Sequence, residues 1–146
     1  MDHRCLAFVV AGAASSLAQA QPSAPASAGA RFDGPWQVTI ACPHNTEKSA
    51  ARGYRRQFDA IVKDGVLSGE SGDARSPGWL RIDGRIGADG NAVLDARGRT
   101  GNPDYAVNQP PPSTSYSYRI DAHFDDRHGT GKRLEQRVCN FDFDRK

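Results

Sequence analysis

Tyr116-Ser117-Tyr118-Arg119-Ile120-Asp121-Ala122-His123-Phe124 decides the reading of this chain. Its even-numbered residues are aromatic or aliphatic, and its odd-numbered ones are polar. Successive side chains of a strand point to opposite faces of a sheet, so the alternation predicts a strand with one buried and one solvated side. Asp125-Asp126-Arg127-His128-Gly129 follows directly and reads as a chain reversal.

The same period of two recurs along the sequence. Toward the end, Cys139, Phe141 and Phe143 alternate with Asn140, Asp142 and Asp144. Toward the start, Trp36, Val38, Ile40 and Cys42 alternate with Gln37, Thr39 and Ala41. Phe58, Ala60 and Val62 oppose Gln57, Asp59 and Lys63, while Leu80, Ile82 and Ile86 oppose Arg81, Asp83 and Arg85. Lys63-Asp64-Gly65 leads into a short strand at Val66–Ser71, and Ala88-Asp89-Gly90-Asn91 makes a further turn. Asp-Gly is a strong hairpin signal because its glycine accepts the positive φ of a tight turn. Helical periodicity is nearly absent. The fold class predicted is all-β: a single antiparallel up-and-down barrel, or strongly curled sheet, of seven or eight strands. The eighth requires Thr130–Arg137 and Val138–Asp144 to be separate strands. Small interior residues such as Gly84, Ala96 and Gly98 suit either a packed taper or a shallow pocket.

Two stretches fall outside the pattern. Pro43–Gly53 is polar, and Thr100–Thr114 carries four prolines, which donate no ladder hydrogen bond. Both read as long loops, a length often tied to function.

Outside the strands the chain divides by composition. Residues 1–20 read as a signal peptide: Arg4, an apolar run from Cys5 to Ala14, then Ala18-Gln19-Ala20 as the cleavage pattern. That run falls short of the roughly 20 apolar residues a spanning helix needs, so no membrane span is expected in the mature chain. Residues 21–30, QPSAPASAGA in Gln21–Ala30, read as a disordered tether, and residues 31–146 as the β-barrel-like domain. Cys5 leaves with the peptide. Cys42 and Cys139, both on the apolar side of terminal strands, are expected to form a disulfide that ties the first strand to the last. Such a closure of nearly a hundred residues is assigned about 4.7 kcal/mol by the chain-entropy model, against a usual measured range of about 2–4. These features predict a periplasmic or secreted protein. The net charge of +2 comes from interspersed acids and bases with no basic block, so no nucleic-acid partner is expected.

Three segments, FDGPWQVTIACP, PGWLRIDGRIGADGNAVLDARGRTGNPDY and CNFDF, resemble a family of small uncharacterised exported proteobacterial β-domains. That resemblance implies export and a compact β-fold, and supplies no catalytic residues. The Gly34-Pro35-Trp36 element is also similar to the opening strand of lipocalin-like and avidin-like barrels, without the rest of the lipocalin signature.

The search for chemistry gives a short list. His123 points outward by parity, His128 lies in a turn and His44 in a distant loop, so no metal site is expected. No Gly-x-Ser-x-Gly elbow is present, and the mature thiols are expected to be oxidised; no catalytic residue, cofactor or enzymatic activity is predicted. Gly129-Thr130-Gly131-Lys132-Arg133 reads as a glycine kink in a strand rather than a phosphate cradle. An unbroken strand would turn Arg133, Glu135 and Arg137 inward with Cys139. Three explanations stay open: a bulge flips the register, the charges line a wet barrel mouth, or they bind an anion. The candidate ligand-binding residues are Arg133 and Arg137, with Tyr116 and Tyr118 on the adjoining strand. The expected function is a secreted or periplasmic binding module for an unknown protein or small molecule. The alternative is an envelope-associated structural or inhibitory protein acting through its surface; Trp79, outward by parity, is either one such contact or, the preferred reading, covered by the proline-rich loop.

Overall fold

A computed structural model describes residues 29–46 and 50–146; the signal-peptide reading and residues 21–28 of the tether lie outside them. Eight strands form a closed barrel in chain order: β1 (Gly34–Cys42), β2 (Tyr54–Lys63), β3 (Val66–Ser71), β4 (Leu80–Arg85), β5 (Asn91–Arg99), β6 (Ser115–Phe124), β7 (His128–Arg133) and β8 (Cys139–Arg145). Every neighbouring pair is antiparallel, and β1 closes on β8 with Val38 opposite Phe143 and Ile40 opposite Phe141. Closure removes the free edges that an open sheet would expose.

The alternation does what the sequence asks of it. Trp36, Val38, Ile40, Ile82, Leu94, Ile120, Phe124 and Phe143 are fully buried inside, while Arg55, Asp59, Lys63, Asp95, Arg97, Arg119 and Asp121 face out. An apolar interior and a charged exterior are the reverse of a membrane-spanning barrel. Among the described residues no helix is long and apolar enough to cross a membrane.

The two ends of the barrel differ. At one end the connections are tight. Asp64 and Gly65 take φ of 51° and 72° between β2 and β3, the paired positive values of a two-residue hairpin. Asp33 braces that turn by accepting hydrogen bonds from the backbone N–H groups of Asp64 and Gly65 at 3.0 and 2.9 Å. A 3-10 turn, Ala30–Phe32, plugs this end. Phe32 is fully buried, its carbonyl accepts the Trp36 indole N–H at 2.8 Å, and Phe124 packs edge-on to Trp36 at 5.5 Å and against Phe143 at 4.8 Å. Gly29 also belongs to the fold, because a Cβ there would stand 2.4 Å from the Ile86 carbonyl. The domain therefore takes in Gly29 and Ala30, the last two residues assigned to the tether.

At the other end lie all the long connections among the described residues: 43–46 with 50–53, 72–79, 100–114 and 134–138. The disulfide sits at this rim, with S–S 2.04 Å and Cα–Cα 4.3 Å between Cys42 and Cys139.

β7 and β8 are separate strands, so the barrel has eight. The continuous strand considered for Gly129–Phe143 does not form, because the ladder stops at the Arg133–Cys139 pair. Between them Gln136 adopts a left-handed φ of 62° and the Arg137 N–H bonds the Glu135 carbonyl at 2.7 Å. It is a turn and not a bulge. Arg133 ends β7 pointing inward, Glu135 is exposed, and Arg137 is buried within the turn rather than on the strand beside the tyrosines. Trp79 is half-buried, and its indole N–H donates to Glu70 on β3 at 2.5 Å.

Candidate functional site

The open end of the barrel holds a cavity of about 350 Å³. That is at the small end of the roughly 300–1,000 Å³ typical of ligand pockets. Its floor is aromatic. Tyr116 and Tyr118, two apart on β6, point in together and stack with centroids 5.9 Å apart and planes 8° from parallel. Tyr118 reaches the core beneath, 6.4 Å from Phe141. Room for Tyr116 comes from Gly98, its cross-strand partner on β5: a Cβ there would lie 2.4 Å from the phenol carbon and its hydroxyl. Tyr54, at the start of β2, adds a third ring, set edge-on to Tyr105 of the proline-rich loop at 6.2 Å.

Arginines supply the rest of the polar wall. Arg55, Arg56, Arg99, Arg133 and Arg137 line the cavity, and no Asp or Glu does. Among the described residues none of the five forms an ion pair. Arg133 and Arg137 are buried, Arg56 and Arg99 half-buried, and Arg55, outward on β2, is exposed at the rim. Buried cations normally keep an opposite charge or water at hand, so this mouth is electrically unbalanced.

The arginines play different parts. Arg56 continues the inward parity of Phe58 and is clamped at the wall, donating to the Ser71 hydroxyl at 2.7 Å and the Gly78 carbonyl at 2.7 Å. Arg137 is a brace. It is 7% exposed, and its two terminal nitrogens donate to the carbonyls of Pro43, of Arg52 at 3.3 and 3.4 Å, and of Tyr105 at 2.9 Å, which ties the two long loops to the 134–138 turn. Its Nε is buried with no partner among the described residues. Burial and the nearby Arg133 charge push the Arg137 guanidinium below its ordinary pKa, against the opposing influence of Tyr54.

Arg133 is 9% exposed, and its guanidinium carbon sits over the Tyr118 ring, 3.9 Å from the centroid. Its Nε donates to the Glu135 carbonyl at 3.0 Å and its Nη2 to the Gln136 side chain at 2.8 Å, while Nη1 bonds to no described residue. The Glu135 carboxylate turns away and accepts the Arg119 backbone N–H at 3.2 Å, so it neutralises neither arginine.

The three tyrosine hydroxyls are the other open donors. Those of Tyr54, Tyr116 and Tyr118 make no hydrogen bond to any described residue, although Tyr118 is only 6% exposed. Burial, followed by the neighbouring Tyr54, raises the pKa of Tyr116 and more strongly that of Tyr118, outweighing the lowering by Arg56 and Arg133. Both phenols are therefore neutral donors at ordinary pH.

The four residues proposed from the sequence, Tyr116, Tyr118, Arg133 and Arg137, all line this one cavity. Tyr54, Arg56 and Gln136 line it too and were not singled out. Tyr54 and Arg56 extend the Phe58 alternation by two steps, a signal already in the sequence. Gln136 carried none, since its place depends on the turn. The histidines stay outside: His123 pairs with Asn91 at 2.9 Å and His128 with Asp144 at 2.9 Å. Among the described residues no cluster of His, Cys, Asp and Glu is placed to hold a metal ion.

No family model, curated protein or solved structure matches this chain.

Proposed function

We propose that this domain is a binding module of an oxidising compartment, periplasmic or extracellular, that holds a small molecule in the open mouth of its barrel. The single observation behind this reading is the polarity of the fold. One end is plugged by Phe32 and Trp36; the other gathers every long loop around a cavity floored by tyrosines and walled by arginines. Loops held at one end of a rigid barrel are where such scaffolds place recognition. The cavity wall contains no His, Cys, Asp, Glu or Lys, which favours holding a ligand over general acid–base or nucleophilic work on it. The disulfide fits an oxidising compartment, and the leader read in residues 1–20 would deliver the chain there.

The test is a ligand-observed NMR screen of neutral, anionic and cationic fragments, repeated with a mouth-blocking Val107→Trp variant whose fold is checked by circular dichroism. Binding that disappears in the blocked variant supports the reading. Fragments that bind equally well to both proteins, or no binding across the screen, would end it.

One observation favours the runner-up, action through the surface. Leu134 and Val138, 65% and 50% exposed, flank the buried Arg137 on the rim, beside the partly exposed Tyr105. Exposed apolar residues around a mouth also suit docking of a protein partner. Leu134→Ser with Val138→Ser would abolish such docking and leave fragment binding in the cavity unchanged.

A further inference from the structure

We infer that the ligand of the mouth is an organic oxyanion, a carboxylate or phosphate carried on a flat, largely apolar body. The inference rests on the binding-module reading above and names the chemistry of that same site.

Three observations converge on it. The first is charge. Five arginines line the cavity without a carboxylate among the lining residues. A second cation at close range costs energy that an anion would recover, so the mouth favours negative charge. The second is the supply of unused donors. The Nη1 group of Arg133 and the hydroxyls of Tyr54, Tyr116 and Tyr118 line the cavity and have no acceptor among the described residues. Donors not spent on the protein are available to an acceptor carried by a ligand. An oxyanion offers acceptor lone pairs and no donors, which suits a guanidinium N–H and phenol hydroxyls free to donate.

The third observation is orientation. Arg133 is held by its stack on Tyr118 and by hydrogen bonds from Nε and Nη2, so Nη1 is presented without a further entropic cost of fixing the side chain. Arg56 and Arg137 are committed to carbonyls and the Ser71 hydroxyl, so their charge contributes field while Arg133 makes the contact. The rings of Tyr54 and Tyr116, half-buried at the same mouth, offer flat apolar area to the body of the ligand.

Isothermal titration of the mature, disulfide-bonded protein separates the possibilities. The probes are benzoate, phenyl phosphate, inorganic phosphate, benzamide and benzylamine, with indole as a neutral aromatic control. The expected result is that benzoate or phenyl phosphate binds at least tenfold more tightly than benzamide, that benzylamine does not bind, and that inorganic phosphate binds more weakly than phenyl phosphate. A preference for benzoate over phenyl phosphate assigns a carboxylate, and the opposite order a phosphate. Arg133→Met should weaken the anion at least tenfold. Tyr116→Phe, which keeps the ring and the fold and removes one donor, should weaken it severalfold and leave indole unaffected. Benzamide or indole binding as well as the anions, or an Arg133→Met protein that is folded by circular dichroism and keeps its benzoate affinity, overturns the oxyanion and leaves the mouth as a neutral-ligand site. If no probe binds, indole included, the binding-module reading falls with it.

Discussion

Replacing Arg137 by alanine should loosen the rim of the barrel without opening the barrel itself. The guanidinium holds carbonyls from two loops that are otherwise far apart in sequence, at Pro43 and Arg52 on one side and Tyr105 on the other. Hydrogen bonds from a charged donor contribute about 1.5–3 kcal/mol each. The bond to Tyr105 at 2.9 Å has ordinary geometry and the one to Pro43 is a close contact, while the Arg52 contacts at 3.3 and 3.4 Å are marginal, so the Tyr105 and Pro43 bonds are the ones counted. Two bonds give about 3–6 kcal/mol. Water reaching the freed carbonyls returns part of this, and relief of the unpaired buried Nε returns more, so the net loss should be about 2–4 kcal/mol. Urea denaturation measures it as a lower midpoint at nearly constant slope, because the surface exposed on unfolding hardly changes. Hydrogen exchange should accelerate at Asn45, whose amide bonds Ala51 within its loop, and at Arg52, whose amide bonds Asp104 across the two loops, while the paired amides of β1 and β8 stay protected. A midpoint within about 0.5 kcal/mol of the parent, as for an ordinary surface change, would refute the brace and make Arg137 a ligand contact instead.

Further outcomes follow from the same geometry. Trp36→Ala empties a fully buried aromatic site at the plugged end and should cost about 3–5 kcal/mol, whereas His123→Ala on the outer face should stay within about 0.5 in the same denaturant melts. Joint replacement of Cys42 and Cys139 by serine should cost about 2–4 kcal/mol, read as a lower urea midpoint; an unchanged midpoint would mean that the closure of β1 on β8 holds without the bridge. Tyr118 has a folded pKa above its unfolded value, so its contribution is complete below about pH 10 and is lost as pH rises through the folded value. Alkaline unfolding followed by tyrosinate absorbance should show ionisation of Tyr118 delayed until the barrel opens, and Tyr118→Phe should shift that unfolding to higher pH. Asp83 behaves in the opposite sense: burial raises its pKa, but hydrogen bonds from Arg81 at 2.7 Å and from Ser68 outweigh it and hold the carboxyl below its usual range. Its contribution is present above the unfolded value near 3.9 and lost as pH falls through the lower folded one, so Asp83→Asn should flatten the acid limb of the stability profile.

The barrel was largely legible because its information is local. Tyr116 to Phe124 alternates without a break, and a strand with one apolar face has only one way to sit on a core. The Cys42–Cys139 pair followed from the same parity, carried to the two strands that must meet when a meander closes. The candidate site was legible in part for the same reason: Tyr116, Tyr118 and Arg133 are inward positions on neighbouring strands. What could not be read is where backbone geometry departs from the period. Gln136 takes a left-handed φ with no glycine or proline to announce it, so the strand ends after Arg133 and Arg137 enters the site from a turn. Continued parity would have pointed Glu135 inward beside the arginines; the turn sends it out and leaves the mouth without a carboxylate. The plug made by Phe32 depends on packing against Phe124, a residue brought near it only when the barrel closes.

A crystal of the mature protein soaked with the tightest-binding fragment tests the central claim most directly. The account predicts density in the cavity, with ligand oxygens within hydrogen-bonding distance of Arg133 and of at least one of Tyr54, Tyr116 and Tyr118. Ligand density on the outer wall or on the Leu134–Val138 rim, with the mouth holding only water, would contradict it.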